Sequence, residues 1–345
     1  MTSKKRNFML TLLGAVLILL AFAVLYQRQA GQKGFPEPLS ATEFKLNTVV
    51  TITLYDSDDP SILEGAFALC DKYEAMFSRT LEGSELYRLN HGTLPEEAGS
   101  FLLSAETAEL IEKGLSYGRL SEGAFDIAIE PVSSLWDFTS GTKEIPSPET
   151  VASALPLVNY QDVHLEGTRI SFSREGMGLD LGAIAKGYIA DQIKKFLLDK
   201  GVKSALINLG GNVLCVGQKP DGSPFQIGIQ KPFADRSETV ATMEIRDRSV
   251  VSSGIYERFF EKDGRLYHHI LNPATGYPYE TSLISVTIIS DDSVDGDGLS
   301  TSCFALGLEK GMELVNSLPD VQAVFITDDY TLHYSDGFEK DIPLS

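Results

Sequence analysis

Cysteine is scarce in this chain: three residues in 345, Cys70, Cys215 and Cys303, with no pair at C-x-x-C spacing. That spacing argues against a zinc site or a dithiol redox motif, and an odd count allows one disulfide at most; small buried apolar residues are the expected role. Basic residues are also short, 29 Lys and Arg against 48 Asp and Glu, for a net charge of −19. Five of the 29 (Lys4, Lys5, Arg6, Arg28, Lys33) fall in the first 36 residues, which hold no acid, so the remainder is more acidic than the whole. So acidic a body repels phosphate and argues against sequence-independent nucleic-acid binding; a polyanionic ligand would need a metal or a local cluster of N–H donors. There is no 20–50-residue repeat, no low-complexity tract and no G-x-x-x-x-G-K-[ST] loop. What remains, 43% hydrophobic and 22% charged, is a folded globular composition long enough for one large domain or two ordinary ones.

One long uncharged run is present, at residues 8–26. At about 1.5 Å rise per residue it nearly spans a hydrocarbon core of roughly 30 Å. Lys4, Lys5 and Arg6 before it, with only Arg28 just after, give an N-in orientation. Ala21-Phe22-Ala23 has the look of a signal-peptide cleavage site but lies inside the apolar run. An uncleaved single-pass anchor is therefore favoured over a cleaved signal. Either one leaves the body outside the cytoplasm, and no neighbouring cysteine allows a lipid anchor instead. The expected organisation is an anchor or signal segment at 1–34, a linker at 35–43 and one domain at 44–345.

Along the body, residues 46–55 alternate and are β-branched, which predicts a strand. Helical spacing with Asp59-Pro60 as its start predicts a helix over 59–77, and further helices are expected at 104–120, 148–155, 182–200, 299–306 and 310–317. Strands are expected at 163–165, 169–172, 204–209, 213–216, 225–230, 239–245, 283–289, 321–327 and 331–334. The two kinds of element do not alternate strictly. The expected class is α+β, with mixed or antiparallel sheets and packed helices behind one N-terminal transmembrane helix.

Four segments carry chemistry. Leu179-Asp180-Leu181-Gly182-Ala183-Ile184-Ala185-Lys186 puts an acid before a glycine-containing helix start and a lysine inside it. This is either a site for phosphate at free N–H groups or an ordinary helix start with a surface lysine. In Asp297-Gly298-Leu299-Ser300-Thr301, a carboxylate and a hydroxyl four apart share a helix face and are hard oxygen ligands suited to Mg²⁺, unless Asp297 is simply a cap. His268-His269-Ile270-Leu271-Asn272-Pro273 places two of the five histidines before a turn, where one could serve as a general base or both could be structural. Gly123-Ala124-Phe125-Asp126 pairs an aromatic with an acid, fit either to hold a flat heterocycle or to fill a core.

The order of these segments is more specific than any one of them. Phe77-Ser78-Arg79 with Ser84-Glu85-Leu86 and Leu89-Asn90 comes first, then Gly123–Asp126 and Leu179–Tyr188. Asn208-Leu209-Gly210-Gly211-Asn212 follows, then Val251–Gly254 with Tyr256-Glu257-Arg258, the His268–Pro278 turn and Asp297–Thr301. This succession resembles the ApbE-like family of FAD:protein FMN transferases over roughly residues 44–335. The resemblance implies that FAD is split and its FMN half placed on a Thr or Ser hydroxyl of an acceptor flavoprotein bearing a Ser/Thr-Gly-Ala-Thr motif, with release of AMP. It implies Mg²⁺ held by the main-chain carbonyl of Ala183, the carboxylate of Asp297 and the hydroxyl of Thr301. Ala124, Phe125, Asp126, Asp180, Lys186 and Ile270 would contact FAD, and His269 would be the base, leaving His268 structural. Two positions depart from the family pattern. Asn272 stands where an aspartate is usual, and an amide can still cap that turn. Thr80 stands where many relatives carry an aromatic near the flavin, which bears on the balance of transfer against hydrolysis. Two other functions are weighed beside flavin transfer: a pyrophosphatase yielding FMN and AMP, and a non-catalytic flavin-binding protein. The acceptor motif is absent from this chain, which therefore reads as enzyme rather than target.

Overall fold

Strand residues that alternate between two apolar faces build the centre of the molecule. The computed structural model describes residues 37–235 and 237–344. Eight strands form one sheet: β1 (Leu39–Lys45), β2 (Thr48–Leu54), β3 (Ser204–Leu209), β4 (Asn212–Gly217), β5 (Ser249–Gly254), β6 (Leu283–Ser290), β7 (Gln322–Thr327) and β8 (Leu332–Tyr334). Their spatial order is their chain order, and every neighbouring pair is antiparallel. The excursions between strands carry four main helices: α1 (Pro60–Phe77), α2 (Ala105–Leu120), α3 (Ala185–Asp199) and α4 (Ser293–Ser317). They also carry a small four-stranded sheet that includes Val163–Glu166 and Arg169–Phe172, and two hairpins, Phe225–Gln230 with Thr239–Ile245 and Phe259–Lys262 with Arg265–His268.

The period of two sorts the sheet's side chains between two cores. Ile52, Ile207, Leu209, Val286, Ile288 and Phe325 meet Phe67 of α1, Ile189 and Ile193 of α3, and Phe304 of α4 on one face. Cys215, Val250, Ile289, Val324 and Ile326 meet Phe225, Ile227, Met243 and the C-terminal Phe338 on the other. β6 is covered on both faces, and all eight of its residues are buried. Each fully buried Leu, Ile or Phe contributes about 1.5–3 kcal/mol. The three cysteines are free and buried, as expected.

The expected α+β class with antiparallel sheets and packed helices is what forms. The N-terminal run at 8–26, and with it the anchor at 1–34, lies outside the described residues; among those described, no helix is long and apolar enough to cross a membrane. Several boundaries differ from expectation. Most of the segment read as linker, residues 39–43, belongs to β1. This edge strand is mostly exposed and shows no apolar alternation, so only its pairing with β2 defines it. Leu46 and Asn47, both with positive φ, make the two-residue turn between the two strands. α3 begins at Ala185 rather than at residue 182. α4 begins at Ser293, six residues before the expected 299, and its regular geometry breaks at Gly307. β5 is not among the expected strands, since four of its six residues are serine or glycine.

Candidate active site

The first turn of α3 meets the first two turns of α4, and the sequence dictates how closely. Leu179, Leu181 and Ile184 are fully buried, which turns Asp180, Gly182 and Ala183 outward. Asn90 holds the segment in place: its amide accepts the Leu179 N–H at 2.8 Å and donates to the Leu179 carbonyl at 2.9 Å. Helix α3 then starts without a side-chain cap. Gly187 is the third residue of the helix, where an N–H has no partner within the helix. Here it donates to Oδ2 of Asp297 at 2.6 Å. The Ala183 carbonyl lies just before the helix and outside its hydrogen-bond ladder.

Asp297 is therefore no helix cap but an inward-facing residue of α4, 5% exposed. Its Oδ1 accepts from Asn212 Nδ2 at 3.0 Å. Burial raises its pKa against the pull of the Lys186 charge and of these two donors. One turn on, Thr301 is half-buried, with its Oγ1 3.2 Å from Ser253 Oγ on β5. The start of α4 is held from α3: the carboxylate of Asp191 accepts the N–H groups of Ser293 and Val294 at 2.7 and 2.9 Å. Burial lifts Asp191 to about 7 despite both bonds. On the opposite side the Tyr117 hydroxyl donates to Asp295 at 2.5 Å.

The two histidines have opposite environments. His268 is buried; its Nε2 faces the Tyr279 carbonyl at 3.0 Å, its Nδ1 accepts the Ile270 N–H at 3.3 Å, and its ring meets Phe304 edge-on. Both nitrogens are used, and burial lowers its pKa to about 4. His269 is half-buried and spends one nitrogen only, Nδ1 on the Arg258 carbonyl at 3.3 Å. A nitrogen facing a carbonyl carries the proton, so Nε2 is left with its lone pair. Burial first, then the charges of Arg258, His268 and Lys186, push this imidazole down to about 3. The Lys186 charge thus acts on both Asp297 and His269. Asn272 Oδ1 accepts the Ala274 N–H at 2.8 Å and so caps the turn that follows.

Asp180 is more engaged than the sequence implied. Its carboxylate accepts from Gly182 N–H at 2.9 Å and Ser133 Oγ at 2.8 Å and pairs with Arg79 Nε at 2.9 Å. The Gly123–Asp126 segment does not present a stacking surface. The Phe125 ring is 4% exposed and meets Tyr117 edge-on. Asp126 spends its two oxygens on the N–H groups of Ala128 and Tyr160, with burial raising it to about 6. Ala124 stays half-buried, its carbonyl accepting from the Tyr279 hydroxyl at 2.9 Å, and Ile270 is a buried neighbour of the turn. Sequence reading missed Gly187, Asn212 and Asp191 as parts of this arrangement. Only Asn212 left a trace, a polar residue opening a strand after Gly210-Gly211.

The candidate oxygens are the Asp297 carboxylate, the Thr301 hydroxyl and the Ala183 carbonyl that precedes α3, all of the hard class that suits Mg²⁺. Among the described residues no cluster of three or more His, Cys, Asp or Glu is placed to hold a metal. A divalent cation would therefore draw on one carboxylate, neutral protein oxygens and a ligand's phosphates. Closeness of α3 to α4 is a condition for this. A Cβ on Gly187 would strike the Ser293 carbonyl and come within 2.6 Å of Val294 Cα. Gly187→Ala is expected to destabilise the fold by about 1–3 kcal/mol or more, read as a melting temperature lowered by several degrees. An unchanged melting temperature would show that the helices are free to part.

Comparison with known proteins gives one answer. A model of the ApbE family matches residues 46–325. The FAD:protein FMN transferase of Klebsiella pneumoniae (strain 342) is 37% identical over 284 residues, 82% of this chain and 87% of the relative. That of Treponema pallidum (strain Nichols) is 34% identical over 319 residues, 86% and 87% of the two chains. Among solved structures, the flavin transferase ApbE from Vibrio cholerae superposes with a TM-score of 0.78 at 25% identity, covering 88% of this chain and 99% of its own. The ApbE protein from Thermotoga maritima does so with a TM-score of 0.79 at 29% identity over the same shares.

Proposed function

The chain belongs to the ApbE family, and from that premise we propose that it is an FAD:protein FMN transferase that moves FMN from FAD to a Thr or Ser hydroxyl of an acceptor flavoprotein and releases AMP. The observation that carries the reading is the buried Asp297 carboxylate where α3 meets α4, held by the Gly187 N–H and the Asn212 amide and acted on by the Lys186 charge. Asp297, Thr301 and the Ala183 carbonyl would hold Mg²⁺, which when bound neutralises charge building on the pyrophosphate oxygens. Lys186 adds fixed positive charge from the first turn of α3, at the positive end of the helix dipole. The hydroxyl oxygen of the acceptor attacks the phosphorus nearest the flavin. The new P–O bond forms as the bond to the bridging oxygen breaks, and AMP departs with that oxygen. The hydroxyl proton passes to Nε2 of His269, whose Nδ1 is fixed on the Arg258 carbonyl. Arg79, Ser133 and the Gly182 N–H hold the Asp180 carboxylate, through which an FAD contact is proposed.

The N-terminal pattern supports a membrane anchor at residues 1–34, with the domain from residue 44 on held outside the cytoplasm near its acceptors. Such a tether raises effective concentration without adding contacts.

The test is to incubate the protein with FAD, Mg²⁺ and an acceptor bearing the Ser/Thr-Gly-Ala-Thr motif. The expected result is an acceptor heavier by one FMN, one AMP released per transfer, and no reaction after chelation of the metal. Release of free FMN with an unlabelled acceptor would replace transfer by hydrolysis.

A further inference from the structure

The carboxylate of Asp297 is gripped from two sides, and only one grip has support behind it. Gly187 N–H holds Oδ2. On Oδ1, Asn212 Nδ2 donates at 3.0 Å, Ser293 Oγ donates to Asn212 Oδ1 at 2.8 Å, and Ser249 Oγ donates to Ser293 Oγ at 2.9 Å. The three residues are 1%, 0% and 0% exposed. They open β4, α4 and β5 respectively, so the series ties three elements to one carboxylate. Its direction is forced. An ionised carboxylate has no hydrogen to give, so the amide must turn its NH₂ toward Asp297 and its oxygen away. That oxygen needs a donor, which makes Ser293 give its hydrogen and accept from Ser249. A flipped amide would set oxygen against oxygen at Asp297 and leave the Ser293 hydroxyl facing a donor instead of its acceptor, in a setting too dry for water to repair the first contact.

We propose that Asn212 is a positioning residue that fixes the plane of the Asp297 carboxylate for a divalent cation, and that Ser293 and Ser249 hold Asn212 in the one amide orientation able to do so. This rests on Asp297 being a cation ligand. Two donors on opposite oxygens stop the carboxylate from rotating and aim its remaining lone pairs. Partners behind a metal ligand typically change metal affinity by about 10–100-fold when removed.

The experiment is Mn²⁺ binding to the purified full chain without flavin, followed by electron paramagnetic resonance, with melting temperatures recorded in parallel. Asn212→Ala is expected to weaken Mn²⁺ binding by about 10–100-fold. Ser293→Ala is expected to weaken it less, because the amide remains but loses its brace. The decisive reading is the double variant, in which the Ser293 change has no further effect once Asn212 is gone. A merely structural role would give losses that follow the melting temperatures and add. Additive losses, or wild-type affinity in a folded Asn212→Ala, would overturn the proposal. If Asn212→Ala does not fold, unchanged affinity in Ser293→Ala overturns it instead. Asp297→Ala separates the two levels: Mn²⁺ affinity unaffected by that change would bring down the cation reading itself.

Discussion

Replacing Asp297 with alanine is expected to lower Mg²⁺-dependent FMN transfer by roughly three orders of magnitude and to leave a folded chain. The rate estimate comes from the several kcal/mol of transition-state charge stabilisation lost with a metal site, at about 1.36 kcal/mol per tenfold. The stability estimate rests on two opposing effects. Loss of the carboxylate strands the Gly187 N–H and the Asn212 amide, at about 1–3 kcal/mol each. It also removes a charge whose burial is already unfavourable enough to raise its pKa. Asp297→Asn keeps the shape but sets its own NH₂ against one of those donors, so it is expected to be as inactive as the alanine variant. Titration with Mg²⁺ into the low millimolar range checks this. Recovery of the wild-type rate by either variant would remove Asp297 from the metal site.

For His269→Ala the expected result is a loss of transfer by about two to four orders of magnitude with FAD binding retained. Flavin fluorescence would report the binding and acceptor mass the transfer. His268→Ala is expected to act the other way, through stability. It breaks two interior hydrogen bonds and an edge-on contact with Phe304, and the protein that does fold should turn over near the wild-type rate. Similar losses from both would dissolve the distinction between them. The lowered pKa of His269 adds a pH dependence with a definite sign. A depressed imidazole pKa keeps the base form present at every pH above about 3. Because kcat/KM reports the free enzyme, it should show no fall near pH 6.5 on the acid side from this residue. An acid limb centred there that vanishes in His269→Ala would contradict the burial argument.

What the sequence made legible is what local chemistry decides. Asp59 caps α1 through the Ser61 N–H, and Ser104 caps α2 through Thr107, both at the expected places. Position 107, where a capping box would carry a carboxylate, is a threonine, and the carboxylate comes from Glu85 instead. Glu85 accepts the Ser104 N–H at 2.6 Å. The same cause hid the start of α4: Ser293, Asp295, Gly296 and Gly298 are poor helix formers, and the cap is Asp191 on α3. The side chains of the site were legible as motifs, but the Ala183 carbonyl was not, since an alanine shows no ligand chemistry. Only the resemblance pointed to it. Phe125 and Asp126 look like a ligand surface in sequence. Their burial is a tertiary fact, set by Tyr117 and by the backbone of Tyr160.

The chain-order sheet conceals one unequal step. Most neighbouring strands are joined by short or moderate excursions, but β2 and β3 pair across residues 55–203. Closing so long a loop costs more entropy than closing the others, although the cost grows only logarithmically with length. It is also the kind of distant contact that slows folding. Asp180 and Lys186 lie inside that loop, whereas Asn212, His269, Asp297 and Thr301 lie beyond it. Refolding protein therefore assembles the proposed flavin site only after its most distant pairing has closed. Recovery of flavin binding should follow the slowest conformational phase, while helical signal returns ahead of it.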